Sequence, residues 1–178
     1  MKVNIISESV KYGVICGLLA LLLMFGGWSM GTEQYVSILY ITTFIPYMII
    51  ILIIGGIQVR KANDNLLPYK EALKFTFLAY VIAGLLIAIG TYLLYNVIDK
   101  EVTQRSLVIR MEKTRKMMEA FGASESDIDK ALEEVEKESA DTGFKKIFLG
   151  YGLGLIWDFV KSLLIALIIR KEKNVTFE

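Results

Sequence analysis

The run 147-IFLGYGLGLIWDFVKSLLIALII-169 decides the fold. It carries only two charges, Asp158 and Lys161, in 23 residues. A bilayer's hydrocarbon core is about 30 Å thick, and a helix needs roughly 20 apolar residues to cross it. Three earlier stretches, 12–32, 34–59 and 75–98, have 21, 26 and 24 residues and hold no charge at all. The predicted fold is therefore all-α, a single integral-membrane four-helix bundle over 1–178. Its spans fall at about 12–31, 36–58, 73–98 and 147–169, with an extracytoplasmic helical hairpin over about 99–142 between spans three and four.

Composition agrees. Hydrophobic residues make up 54% of the chain, above the roughly 45–50% of soluble domains. They are gathered in blocks, so lipid rather than a large water-soluble core accounts for the excess. The net charge of +1 argues no basic surface for nucleic acid. There is no histidine, which removes the commonest general base and metal ligand. The single cysteine, Cys16, has no internal partner and lies inside the first apolar run, where it reads as a small buried hydrophobe. No catalytic, cofactor-binding or metal-binding residue is predicted, and the chain reads as non-enzymatic. The first run is longer than the apolar region of a signal peptide and no A-x-A site follows it, so it is expected to be a retained span.

Orientation follows from the short flanks. Lys2 and Lys11 precede span one, Arg60, Lys61, Lys70 and Lys74 separate spans two and three, and Arg170, Lys171 and Lys173 follow span four. The turn between spans one and two holds only Glu33. The positive-inside rule then places both termini in the cytoplasm.

Pro46 lies within span two, where it removes a backbone bond to the Thr42 carbonyl and is expected to kink the helix, with Thr42 and Thr43 helping to satisfy the freed groups. In the outer segment Leu107, Met111, Thr114, Met118 and Phe121 recur at helical spacing, and Ile128, Leu132 and Val135 repeat the pattern. Gly122 is placed to end one helix and Ser124, with Asp127 three residues on, to cap the next. The first arm (100–119) has net charge +3 and the second (125–141) net −6, which favours an αα-hairpin. With no break after Ile98, the first arm is expected to continue span three and to lift the tip about 33 Å from the membrane. Asp141-Thr142-Gly143 should end the return arm. The hairpin reads either as a connector or as a docking arm.

Span four places Gly150, Gly154, Asp158, Ser162 and Ala166 at four-residue intervals, one narrow stripe. Small residues let helix backbones approach, so this seam should face other helices and carry Asp158 inward. Gly13 and Gly17 offer a matching face on span one. Lys161 is three positions from Asp158 and should pair with it, because each isolated charge at this depth costs about 3 kcal/mol or more. The pair sets helix register or glues a partner subunit; in a second reading Asp158 titrates in an ion- or proton-coupled pathway of a small transporter or channel. Gly150, Gly152 and Gly154 follow no strand and do not make a dinucleotide loop. The expected partners are the lipid bilayer and a membrane protein or a second copy of the chain, in an accessory or oligomerising role.

Lys11-Tyr12-Gly13, Tyr69-Lys70-Glu71-Ala72, Gly122-Ala123-Ser124-Glu125 and the closing run that ends Ile168-Ile169-Arg170-Lys171 carry a family likeness. The chain resembles an uncharacterised family of small four-span bacterial inner-membrane proteins that share a domain of unknown function. The resemblance implies the fold and the bacterial inner membrane, and no functional residue. Members often have proline near the start of span four, where this chain has Gly150, Gly152 and Gly154.

Overall fold

The computed structural model describes residues 3–140 and 142–172; Lys2, Asp141 and Lys173 lie outside them. Among the described residues there are seven α-helices and no strand: α1 (Ile5–Ser29), α2 (Thr32–Phe44), α3 (Tyr47–Ala62), α4 (Tyr69–Leu93), α5 (Val102–Ala120), α6 (Glu125–Ala140) and α7 (Phe144–Ile169). A π-helical turn, Leu94–Ile98, extends α4. The protein is a helical membrane bundle. Three of its helices are long and apolar enough to cross a membrane: α1, α4 with its π turn, and α7. The bent pair α2–α3 is the fourth candidate.

Pro46 does more than kink the second predicted span. Helix α2 stops at Phe44, α3 starts at Tyr47, and the two are inclined by 50°. Proline has no N–H for the Thr42 carbonyl, and its ring obstructs a continuous helix. The Thr42 and Thr43 hydroxyls do not repair the break. Both donate one turn upstream, Thr42 to the Ile38 and Leu39 carbonyls and Thr43 to the Leu39 carbonyl, all at 2.9 Å.

The chain forms two compact units. The first takes 1–21, 44–87 and 150–178. It is assembled at glycines. A Cβ on Gly55 would lie 2.6 Å from the Tyr12 ring, and one on Gly13 would lie 2.7 Å from the Ala79 carbonyl oxygen. Gly17 meets Leu86, and Gly56 accepts Ile169 against its bare backbone. These contacts bring α1 against α3 and α4, and α3 against α7. In lipid, van der Waals contact of this kind replaces the hydrophobic drive between helices. Tyr12 is wedged at the centre, donating to Gln58 Oε1 at 2.8 Å and meeting Phe75 edge to face. One end is closed by backbone: Leu67 and Lys171 exchange both N–H···O bonds, and Arg60 reaches the Ile169 carbonyl at 3.2 Å.

The second unit takes 22–43 and 88–149. Here helices meet through hydrogen bonds. Trp28 donates to Asp99 at 2.9 Å, the Tyr35 and Tyr95 hydroxyls pair at 2.8 Å, and Asn96 donates to the Thr142 carbonyl at 2.8 Å. Arg105 bonds the same Asp99 carboxylate. These groups hold the Asp99 carboxyl below its usual range, the Trp28 hydrogen bond first and Arg105 after it.

The hairpin α5–α6 is present, but it does not continue span three. Asp99 takes an extended conformation (φ −144, ψ 87) and ends the π turn. The contacts of α2 then show where α5 goes. Tyr35 meets Tyr95, whereas Tyr40 pairs with Thr114 at 2.8 Å and with the Arg110 carbonyl at 3.2 Å. Five residues along α2 span about 7.5 Å, while a straight helix from Tyr95 to Thr114 would span about 28 Å. The chain therefore turns back at 99–101 and α5 lies against α2, which corrects the expected projection. At the tip Gly122 (φ +73) ends α5, with Ala123 N–H donating to the Met118 carbonyl at 3.0 Å. The Asp127 N–H donates to Ser124 Oγ at 3.3 Å, and Ser124 Oγ to Asp127 Oδ2 at 2.6 Å, the expected cap. Ile128 is buried and Met111, Met118, Leu132 and Val135 are half-buried. Phe121 departs from the predicted seam: it follows the end of α5 and is 84% exposed.

Candidate functional site

The polar centre of α7 arises from its own periodicity. Asp158 and Lys161 are three residues apart on one helix face near the middle of α7, and Lys161 Nζ lies 2.6 Å from Asp158 Oδ1. A helical side chain points toward the N-terminus, so Lys161 reaches back onto Asp158 rather than toward the nearer end of the helix. Ser162 Oγ donates to the Asp158 backbone carbonyl at 2.7 Å. From α4, Tyr80 places its ring 4.9 Å from Lys161 Nζ, a cation–π arrangement. Thr76 donates to the Ser162 carbonyl at 3.3 Å and fixes the same two helices one turn on. The Tyr80 side chain is 2% exposed and its hydroxyl has no hydrogen-bond partner among the described residues.

Burial here is uneven. The Asp158 side chain is 19% exposed but that of Lys161 is 41% exposed. At the centre of a membrane helix, that exposed surface faces lipid or another helix. The ion pair is neutral as a unit, yet about two-fifths of the Lys161 side chain is left uncovered by the chain itself.

The predicted seam divides at this pair. Ser162 and Ala166 are fully buried, and on α1 Gly13 and Gly17 pack closely on α4. Gly150 and Gly154 do not pack: a Cβ on either would meet no heavy atom within 4 Å. Within one chain, this end of the stripe therefore meets no other helix among the described residues. Their neighbour Tyr151 makes the contact instead. Its ring lies on Gly84 and its hydroxyl donates to the Val81 carbonyl at 3.0 Å. Such a large side chain holds α4 away from the glycines on its own helix. Tyr80 and Gly84 went unmarked in the sequence, because a lone tyrosine or glycine in an apolar run has no distinguishing spacing. Pro46, the predicted kink, stands at the α2–α3 break, apart from this centre in the sequence.

Among the described residues, no three His, Cys, Asp or Glu side chains converge to hold a metal ion. Cys16 is buried and free. What the centre offers is a dipolar pair with both signs on one face, beside a strip of bare backbone.

No curated protein and no solved structure matches the chain. A family model described as "Protein of unknown function (DUF4199)" matches residues 11–171. That match takes in all four candidate spans except the first turns of α1, and the hairpin between them, so the chain belongs to the DUF4199 family of proteins of unknown function.

Proposed function

We propose that the protein is a non-enzymatic, multi-pass component of the bacterial inner membrane that assembles within the bilayer through α7. The observation that carries this reading is the partly uncovered Asp158–Lys161 pair in line with the open Gly150 and Gly154. Charge exposed to hydrocarbon is costly, and bare glycine backbone admits a close helix. The occupant is a second copy of the chain. A face that carries one acid and one base is complementary to itself across a two-fold axis, so Asp158 and Lys161 of the two copies form one neutral cluster.

Cross-linking tests it. In a Cys16→Ala background, Gly154→Cys should form a disulfide-linked dimer in native membranes under mild oxidation, and Leu167→Cys should not. Equal linking at both positions, or none at Gly154, would reject the assembly. A foreign protein retained in fixed stoichiometry in mild detergent would instead make the chain an accessory subunit.

Both termini are placed in the cytoplasm, supported by Lys11, Arg60, Lys61, Lys70, Lys74, Arg170 and Lys171 on one set of flanks against Glu33 on the other. Impermeant thiol reagents added outside intact cells should reach Ser126→Cys and leave Lys61→Cys unlabelled.

A second reading, an ion- or proton-coupled pathway using Asp158, draws on the unpartnered Tyr80 hydroxyl beside Lys161. It requires flux by the purified protein in liposomes that Asp158→Asn abolishes.

A further inference from the structure

We infer that α2 does not cross the hydrocarbon core: it lies in the boundary layer of the bilayer with α5 against it, and α3 alone makes the second crossing. Two independent features of α2 require this. The first is its partner. Lys113 Nζ donates to Ser37 Oγ at 3.0 Å, and Tyr40 bonds both Thr114 and the Arg110 carbonyl. The α5 segment that meets α2 therefore includes Arg110, Lys113, Arg115 and Lys116 within seven residues, and Lys116 is exposed. Were α2 inside the hydrocarbon, these groups would enter it too, at about 3 kcal/mol or more for each charge not fully covered.

The second feature is the break itself. Thr43, Phe44, Ile45 and Pro46 are all exposed. The Thr42 carbonyl has lost its helical donor to Pro46, and the threonine hydroxyls bond elsewhere. Irregular backbone facing lipid does not occur in the hydrocarbon region, because nothing there can satisfy it. At the headgroup level water can. The apolar side chains at this end, Ile41, Phe44 and Ile45, are each more than half exposed and suit the acyl boundary that an interfacial helix occupies.

Length permits the reassignment. The uncharged part of α3, 47–59, has 13 residues, about 20 Å, and Arg60 and Lys61 follow it in the last turn. The α1, α4 and α7 segments of the first unit, 5–21, 69–87 and 150–169, are longer, roughly 25–30 Å. These three match a core of about 30 Å, and the shorter α3 is accommodated by local thinning and by Arg60 and Lys61 reaching to the headgroups. The lipid surface is thus the partner of the exposed α2 edge. This inference is independent of assembly through α7.

Depth measurement tests it. Spin labels at Ile41→Cys, Phe44→Cys and, on α3, Ile54→Cys would be placed singly in the full-length Cys16→Ala protein in phosphatidylethanolamine–phosphatidylglycerol liposomes. Relaxation by oxygen against a water-soluble nickel chelate reports depth. Ile54 should be reached by oxygen and shielded from nickel, whereas Ile41 and Phe44 should report a depth near the phosphates. Labels at Ile41 and Phe44 as deep as Ile54 would overturn the inference. Thr43→Cys gives a second readout that needs no spin label: it should react with a water-soluble maleimide in intact liposomes, and failure to react would equally count against it.

Discussion

Within each of the two compact units the helices meet through different contacts, and the contrast sets where a substitution should do most harm. In the first, helices touch through missing side chains: Gly13, Gly17, Gly55 and Gly56 each accept a neighbour that a Cβ would exclude. In the second, they are joined by paired polar groups, Trp28 with Asp99, Tyr35 with Tyr95, Lys113 with Ser37 and Arg110 with Ser139. Lipid offers no hydrophobic drive between helices, so close packing must supply the attraction. Near water, hydrogen bonds and charges set the register, and each contributes only about 1 kcal/mol net. A single substitution should thus do far more harm in the first unit than in the second.

The strongest break in that comparison is Gly55→Leu. Its side chain has to enter the Tyr12 ring, which is itself packed on Phe75. Overpacking a tight core costs about 1–3 kcal/mol or more, and here little can yield. The expected result is aggregation or loss of the cooperative melt in detergent; a near-parent melting temperature would show that glycine contact does not govern the unit.

Next in size is the charge pair. Asp158→Asn or Lys161→Met alone leaves one charge unpaired in the membrane and should cost about 3 kcal/mol. The double variant should recover much of that loss. Melting temperatures of the two single variants and the double form a cycle, and additive losses would mean that the groups do not interact.

In the second unit, Asp99→Asn should cost only about 1 kcal/mol, since the amide oxygen can still accept from Trp28. The pH dependence is the sharper observation. Asp99 titrates lower in the folded protein than in the unfolded chain. Its contribution is therefore present above the unfolded value of about 3.9 and is lost as pH falls through the lower folded one. Limited proteolysis of the α5–α6 hairpin should accelerate at the acid end of that range in the parent and less so in Asp99→Asn. A pH-independent rate in the parent would remove Asp99 from the account.

The smallest effect on the fold is expected at Gly154→Leu, because nothing of the chain lies within 4 Å. Melting of the monomer should not change while dimerisation through α7 is lost. A large drop in melting temperature would mean that this stretch is packed within one chain after all.

Much of this architecture is legible in the residues alone, wherever a feature depends on neighbours in sequence. Charge-free length marks α1 and α4 as membrane helices, and a run broken by only two charges marks α7, because bilayer thickness is a one-dimensional constraint. Pro46 marks its own break, Gly122 and Ser124 mark the hairpin tip, and the i,i+3 spacing pairs Asp158 with Lys161. Apart from the uncharged lengths, these are decided within one or two helical turns. Two things needed the tertiary structure. The chain doubles back at Asp99 because Trp28, far earlier in the sequence, and Arg105 fix that carboxylate, and no residue breaks the helical pattern to announce it. Gly55 and Gly56, rather than Gly150 and Gly154, carry the close packing of α3 because Tyr12 and Ile169 arrive from other helices. A glycine in an apolar run looks the same whether its bare face meets a ring, a neighbouring backbone or nothing, since what fills the space above it comes from elsewhere in the chain.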